Sequence, residues 1–160
     1  GDIIFIGAST TNECLLKNIK NKRIRIITNS FYIFEQYKGN KNFELILTGG
    51  AWREKSGAFI GEITDRILSE IKVDKSFIGA NGIKDNNVTN SNKEEASLQK
   101  IIMKNSQKNY VLIDSNKFDL KVIYTFYPTD KSDGRRTDSR LNPNIKKKYE
   151  KYTKVINTFK

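Results

Sequence analysis

The sequence predicts an α/β fold, an open and mainly parallel sheet with helices on both faces, and three observations carry that prediction. Short apolar runs bounded by turn residues alternate with stretches whose apolar residues recur at helical spacing. Such regular alternation implies parallel strands joined by right-handed helical crossovers, since each helix covers the sheet before the next strand returns in the same direction. The residues that follow the strands are Gly, Ser, Thr, Asn, Asp and Lys, and the crossovers bring those ends to one edge, where a small polar ligand belongs.

Ile3-Ile4-Phe5-Ile6 reads as a buried strand, and Gly7-Ala8-Ser9-Thr10-Thr11 as a tight turn into a helix. Thr10 with Glu13 fits the capping-box spacing, and Leu15, Leu16 and Ile19 give that helix an apolar face. The N–H groups of its first turn are then free to point at a phosphate, although a capped helix without a ligand satisfies the same pattern. Arg23–Ile27 reads as a second strand ending in Thr28-Asn29-Ser30, followed by a helix through Phe31, Phe34 and Tyr37 that stops at Gly39. Phe43–Leu47 is the third strand, closed by Thr48-Gly49-Gly50, where the backbone can approach a ligand closely.

Ala51 to Gly61 reads as a loop carrying Trp52, Arg53, Lys55, Ser56 and Gly57; its Arg and Lys suit phosphate, and equally suit a solvated surface. A helix is expected from Glu62 to Lys72, and a strand over Lys75–Ile78 running into Gly79-Ala80-Asn81-Gly82. The polar stretch Lys84 to Asn92 reads as a loop before a helix containing Glu94, Glu95, Ala96, Leu98, Ile101 and Ile102. Tyr110–Ile113 is the fifth strand, closed by Asp114-Ser115-Asn116-Lys117. Pro128 to Ser139 is too polar for a buried strand and reads as a mobile loop. Asn142-Pro143 then opens a helix with Ile145, Tyr149 and Tyr152 on one face, before a short final strand.

At 160 residues the chain is long enough for one domain with a real core, so residues 1–160 are expected to form one unit. Cys14 has no second cysteine to pair with, and no apolar run approaches a membrane span, which points to a reducing, cytoplasmic setting. The net charge of +11 would suit nucleic acid, but the 29 Lys and Arg residues are dispersed and come with no helix-turn-helix, zinc-finger or aromatic RNA-binding pattern. Neither G-x-G-x-x-G nor G-x-x-x-x-G-K occurs, so a nucleotide cofactor is disfavoured and none is expected. The chain opens Gly-Asp-Ile-Ile without an initiator methionine and is expected to belong to a longer protein.

Taken together, Gly7-Ala8-Ser9-Thr10-Thr11, Thr28-Asn29-Ser30, Thr48-Gly49-Gly50 with Lys55-Ser56-Gly57, Asp74 to Ile83, Glu94-Glu95-Ala96 and Asp114 to Phe118 resemble the C-terminal effector-sensing domain of DeoR-family bacterial transcriptional repressors. Val88-Thr89 and Lys151 to Ile156 look most like the branch of lactose phosphotransferase-system repressors. The resemblance implies a fold similar to ribose-5-phosphate isomerase and glucosamine-6-phosphate deaminase. It also implies a phosphorylated sugar effector, for example tagatose-6-phosphate or a fructose phosphate, an oligomer, and operator DNA bound only through a separate N-terminal winged helix-turn-helix. By the same resemblance Ser9, Thr10, Thr11 and Lys117 would hold the phosphate. Asn81, Gly82, Glu94 and Asp114 would face the sugar, with Asn29, Gly49, Gly50, Arg53, Lys55 and Gly79 at the rim.

An isomerase or deaminase-like enzyme of similar fold is the alternative. Such an enzyme needs a positioned carboxylate base, whereas the matching segment here presents the amide of Asn81, and the chain has no histidine. No catalytic residue and no metal ligand is therefore expected. One departure from the family pattern falls at Pro128 to Ser139, where an aliphatic strand would be usual.

Overall fold

The computed structural model describes residues 1–19 and 22–159. Its elements in chain order are β1 (Ile3–Ile6), α1 (Thr10–Glu13), β2 (Ile24–Thr28), α2 (Phe31–Tyr37), β3 (Phe43–Leu47), β4 (Ala51–Arg53), β5 (Ala58–Ile60), α3 (Glu62–Glu70) and β6 (Val73–Ile78). Then come β7 (Gly82–Lys84), β8 (Asn87–Asn90), α4 (Lys93–Lys104), β9 (Ser106–Leu112), β10 (Tyr124–Pro128), β11 (Gly134–Asp138), α5 (Pro143–Glu150) and β12 (Val155–Phe159). Seven strands form one sheet in the order β12-β11-β9-β6-β1-β2-β3, and every neighbouring pair is parallel.

Side chains of a strand alternate between faces, and here each face has its own core. Ile4 and Ile6 of β1 join Leu16, Ile26 and Ile33 in one apolar cluster. Phe5 and Ile27 join Leu68, Leu98 and Ile102 of α3 and α4 in the other. The α/β expectation with helices on both faces is met, and burial of each such aliphatic side chain contributes about 1.5–3 kcal/mol.

Several local expectations are corrected. Ser9, not Thr10, caps the first helix, its hydroxyl accepting from Asn12 N at 3.0 Å; the helix is a single turn, followed by a 3-10 turn over Leu15–Asn18. Ala51–Gly61 is no loop: β4 and β5 pair as an antiparallel hairpin around a 3-10 turn over Glu54–Ser56. Lys84–Asn92 likewise contains β8, which pairs antiparallel with β7 and β10 in a small second sheet. Strands of three or four residues leave too short a pattern for periodicity to register.

The largest correction is at Pro128 to Ser139. That stretch folds into a 3-10 turn over Thr129–Lys131 and then β11, which lies inside the sheet between β9 and β12. Arg135 of β11 is fully buried, and its guanidinium nitrogens have no hydrogen-bond partner among the described residues. The guanidinium lies 5.4 Å from the ring centre of Tyr149 of α5, and burial pulls its pKa down to about 10, partly offset by Tyr149 and Tyr152. Thr137 of β11 and its register partner Asn157 of β12 also carry buried oxygens without partners.

Candidate functional site

The carboxyl ends of β2, β1, β6 and β9 open into one cleft of about 400 Å³, a volume within the range of small-molecule sites. Its central wall is Gly7 to Thr11 after β1. Ala8 N donates to Asn29 Oδ1 at 3.2 Å, while the amides of Ser9, Thr10 and Thr11 donate to nothing among the described residues. Three successive N–H groups without a partner among the described residues thus stand on the cleft wall beside the hydroxyls of Thr10 and Thr11 and that of Ser9, which already accepts from Asn12 N.

Buried amides hold that turn in place. Asn12, fully buried, donates its Nδ2 to Gly7 O at 2.7 Å and to Phe77 O at 3.1 Å, stitching the ends of β1 and β6 together. Asn29 is 2% exposed and donates to Phe59 O at 3.0 Å, so it fixes the turn and the hairpin. Gly79 is required by proximity: a Cβ there would lie 2.8 Å from Ser9 Cβ, well inside contact distance.

Beyond the turn, Asn81 Oδ1 accepts from Ser91 N at 2.9 Å and from Ser91 Oγ at 3.1 Å. Gln99 of α4 donates to Gly79 O at 2.8 Å and accepts from Asn90 at 3.0 Å. On the β9 side, Asp114 caps the 3-10 turn Ser115–Lys117, which carries Lys117 into the cleft. Asp138, at the end of β11, accepts from Ser115 N at 2.9 Å and from Arg140 Nε at 3.0 Å. Burial alone would raise its pKa; the hydrogen bonds from Arg140 and Ser115 outweigh that and hold it far below the ordinary carboxylate value. Asp138 thus anchors the Lys117 turn from a strand that the sequence hides.

Electrostatically the cleft is mixed, but its charges differ in engagement. Asp114 lies 3.6 Å from Arg140, Glu54 accepts from Trp52 at 2.7 Å, and Glu95 sits 3.2 Å from Arg53. Lys55 and Lys117 form no ion pair among the described residues. Glu13 also lines the cleft without an ion pair, so the two lysines are the cations open to an anion in a cleft of balanced unpaired charge.

Of the residues singled out from sequence, Ser9, Thr10, Thr11, Asn29, Lys55, Gly79, Asn81, Asp114 and Lys117 line the cleft. The others lie off it. Gly49 and Gly50, with φ of 67° and 126°, serve the link from β3 to β4, where Thr64 Oγ1 donates to Gly49 O at 2.7 Å. Gly82 packs under Leu120, whose carbonyl oxygen occupies the space a Cβ would need. Glu94 is exposed on the outer side of α4, Glu95 takes the cleft position, and Arg53 stands behind it. Asn12, Tyr32, Glu95 and Gln99 were not singled out as site residues. A residue's rotation about a helix axis depends on how the helix docks, which local spacing leaves open.

A wholly parallel sheet with a polar cleft at its carboxyl edge defines the class as a small-molecule-site α/β domain. Residues 1–139 match the DeoR C terminal sensor domain, and the chain belongs to that family. Among curated proteins it is 35% identical over 159 residues to the lactose phosphotransferase system repressor of Streptococcus mutans, covering 98% of this chain and 63% of that protein. It is 33% identical over 159 residues to the repressor of the same name from Lactococcus lactis subsp. lactis, covering 98% and 62%. The Staphylococcus epidermidis repressor of that name is 35% identical over 158 residues, again 98% and 62%. The chain thus spans less than two thirds of the length of these relatives, and the resemblance drawn from its motifs is borne out. Among the described residues no helix is long and apolar enough to cross a membrane.

Proposed function

We propose that this chain is the effector-sensing part of a cytoplasmic bacterial transcriptional repressor of sugar metabolism, and that its cleft binds a phosphorylated sugar. The observation that carries the reading is the meeting of the free amides and hydroxyls of Ser9, Thr10 and Thr11 with the unpaired Lys117 in one cleft. Amides and an ammonium neutralise a phosphate dianion, while Asp114 and the neighbouring carboxylate offer acceptors for sugar hydroxyls and Asn81, its oxygen taken by Ser91, offers its Nδ2 as a donor. The names of the relatives point the same way: repressors of a lactose phosphotransferase system imply a phosphorylated sugar as signal.

Binding favours one arrangement of an oligomer over another, and an N-terminal winged helix-turn-helix of the longer protein reports the difference as operator affinity. The chain performs no chemistry on its ligand. Asn81 cannot take a proton, and its oxygen is already engaged by Ser91.

Thermal unfolding against tagatose-6-phosphate, fructose-6-phosphate, fructose-1-phosphate and ribose-5-phosphate tests this, with unphosphorylated sugars and inorganic phosphate as controls. A ligand that binds only the folded state raises the melting temperature by mass action. A shift selective for one phosphorylated sugar, recovered unchanged, is the expected result. Recovery of a converted sugar would establish the isomerase reading instead, and no shift with any compound would contradict the ligand class.

A further inference from the structure

The hairpin β4–β5 and the start of α4 bring together polar atoms that neither the fold nor the phosphate reading employs. Glu95 Oε1 and Arg53 Nε approach to 3.2 Å, yet both atoms are buried and neither completes a hydrogen bond. Ser56 Oγ, at the hairpin tip and on the cleft wall, is likewise buried without a partner. The second carboxylate oxygen of Glu95 has no hydrogen bond among the described residues, and Glu95 lines the cleft. Unmet buried polar atoms are costly, and Glu95 and Ser56 bring two of them to one cleft wall, which marks where a ligand's hydrogen bonds are missing.

From this we infer that Glu95 and Ser56 form the hydroxyl-reading side of the cleft, with Arg53 holding the Glu95 carboxylate from behind, so that the hairpin is part of the ligand site. The inference rests on the sugar-phosphate reading above and adds to it the side that distinguishes one sugar from another. A carboxylate accepts strong, charge-assisted hydrogen bonds from vicinal hydroxyls, and a serine hydroxyl can both donate and accept. Because Arg53 sits on β4 and Glu95 on α4, a ligand drawing on Glu95 also presses on the pair that joins hairpin to helix.

Adjacent glutamates supply the control. Glu94 and Glu95 both lie in the first turn of α4 and complement its dipole alike, but only Glu95 faces the cleft. Affinities of the 160-residue chain for the four sugar phosphates and for inorganic phosphate are measured by calorimetry in the parent, Glu94→Gln, Glu95→Gln and Ser56→Ala. Glu95→Gln and Ser56→Ala should weaken the preferred sugar phosphate by about tenfold, the loss of a hydrogen bond to a charged or well-placed polar group, and leave inorganic phosphate unchanged. Glu94→Gln should alter neither. Parent-like sugar-phosphate affinity in Glu95→Gln, or equal losses for sugar phosphate and inorganic phosphate, overturns the inference while the sugar-phosphate reading stands. If Glu95→Gln fails to fold, Ser56→Ala at the hairpin tip, which removes only one oxygen atom, decides by the same comparison. A parent that binds none of the four sugar phosphates overturns the reading and the inference together.

Discussion

β1 and β11 occupy equivalent places in the sheet, each with a parallel strand on either side, yet one is Ile-Ile-Phe-Ile and the other Gly-Arg-Arg-Thr-Asp. Both bury a large side chain completely, Phe5 in one case and Arg135 in the other. What differs is the source of stability. β1 contributes apolar burial to the sheet's two cores, whereas β11 is held by the ladders of β9 and β12 and by the Tyr149 ring of α5 beside Arg135. A strand's neighbours can impose burial on residues that would never choose it.

The largest test of that contrast is Phe5→Ala, which removes a fully buried ring and should destabilise the chain by about 3–5 kcal/mol in urea unfolding. At the equivalent place in β11 the sign should reverse. Arg135→Leu replaces an unpartnered buried charge with an apolar side chain and should stabilise by about 1–3 kcal/mol, read as a higher urea midpoint at unchanged slope. Destabilisation by Arg135→Leu would show that the guanidinium has a partner worth keeping.

Asp138 gives a smaller, pH-dependent effect at the end of the same strand. Its folded-state pKa lies below the ordinary 3.8, so the unfolded chain takes up a proton first as pH falls. The stabilisation is therefore complete above about pH 5 and is lost as pH drops through the acid range. Asp138→Asn should cost about 1–3 kcal/mol at neutral pH, with the gap to the parent narrowing below about pH 4. A gap that stays constant down to pH 2 would contradict the assigned hydrogen bonds.

The same contrast explains what could be read in advance. β1, β2 and β3 fall where apolar runs place them, and α2 stops before Gly39 with its φ of 85° as the turn residues require. Right-handed crossovers sort the strand ends onto one edge, so their convergence is legible without coordinates, whereas the choice of Ser9, Asn81, Asp114 and Lys117 among them comes from the family resemblance. The hairpins stayed hidden because their strands are short, and β11 because its composition speaks against burial. Choosing between Glu94 and Glu95 needed the docking angle of α4, and Asn12 and Gln99 act through long-range bonds to Phe77 and Gly79 that no local pattern announces.

The most direct test of the central claim is the affinity of Thr10→Ala and Lys117→Ala for the preferred sugar phosphate, with Lys147→Ala on α5 as control. On the proposed reading each cleft substitution removes a phosphate partner and should weaken binding by about tenfold or more, with Lys147→Ala binding like the parent. Equal affinity in all three variants would place the phosphate somewhere other than this cleft.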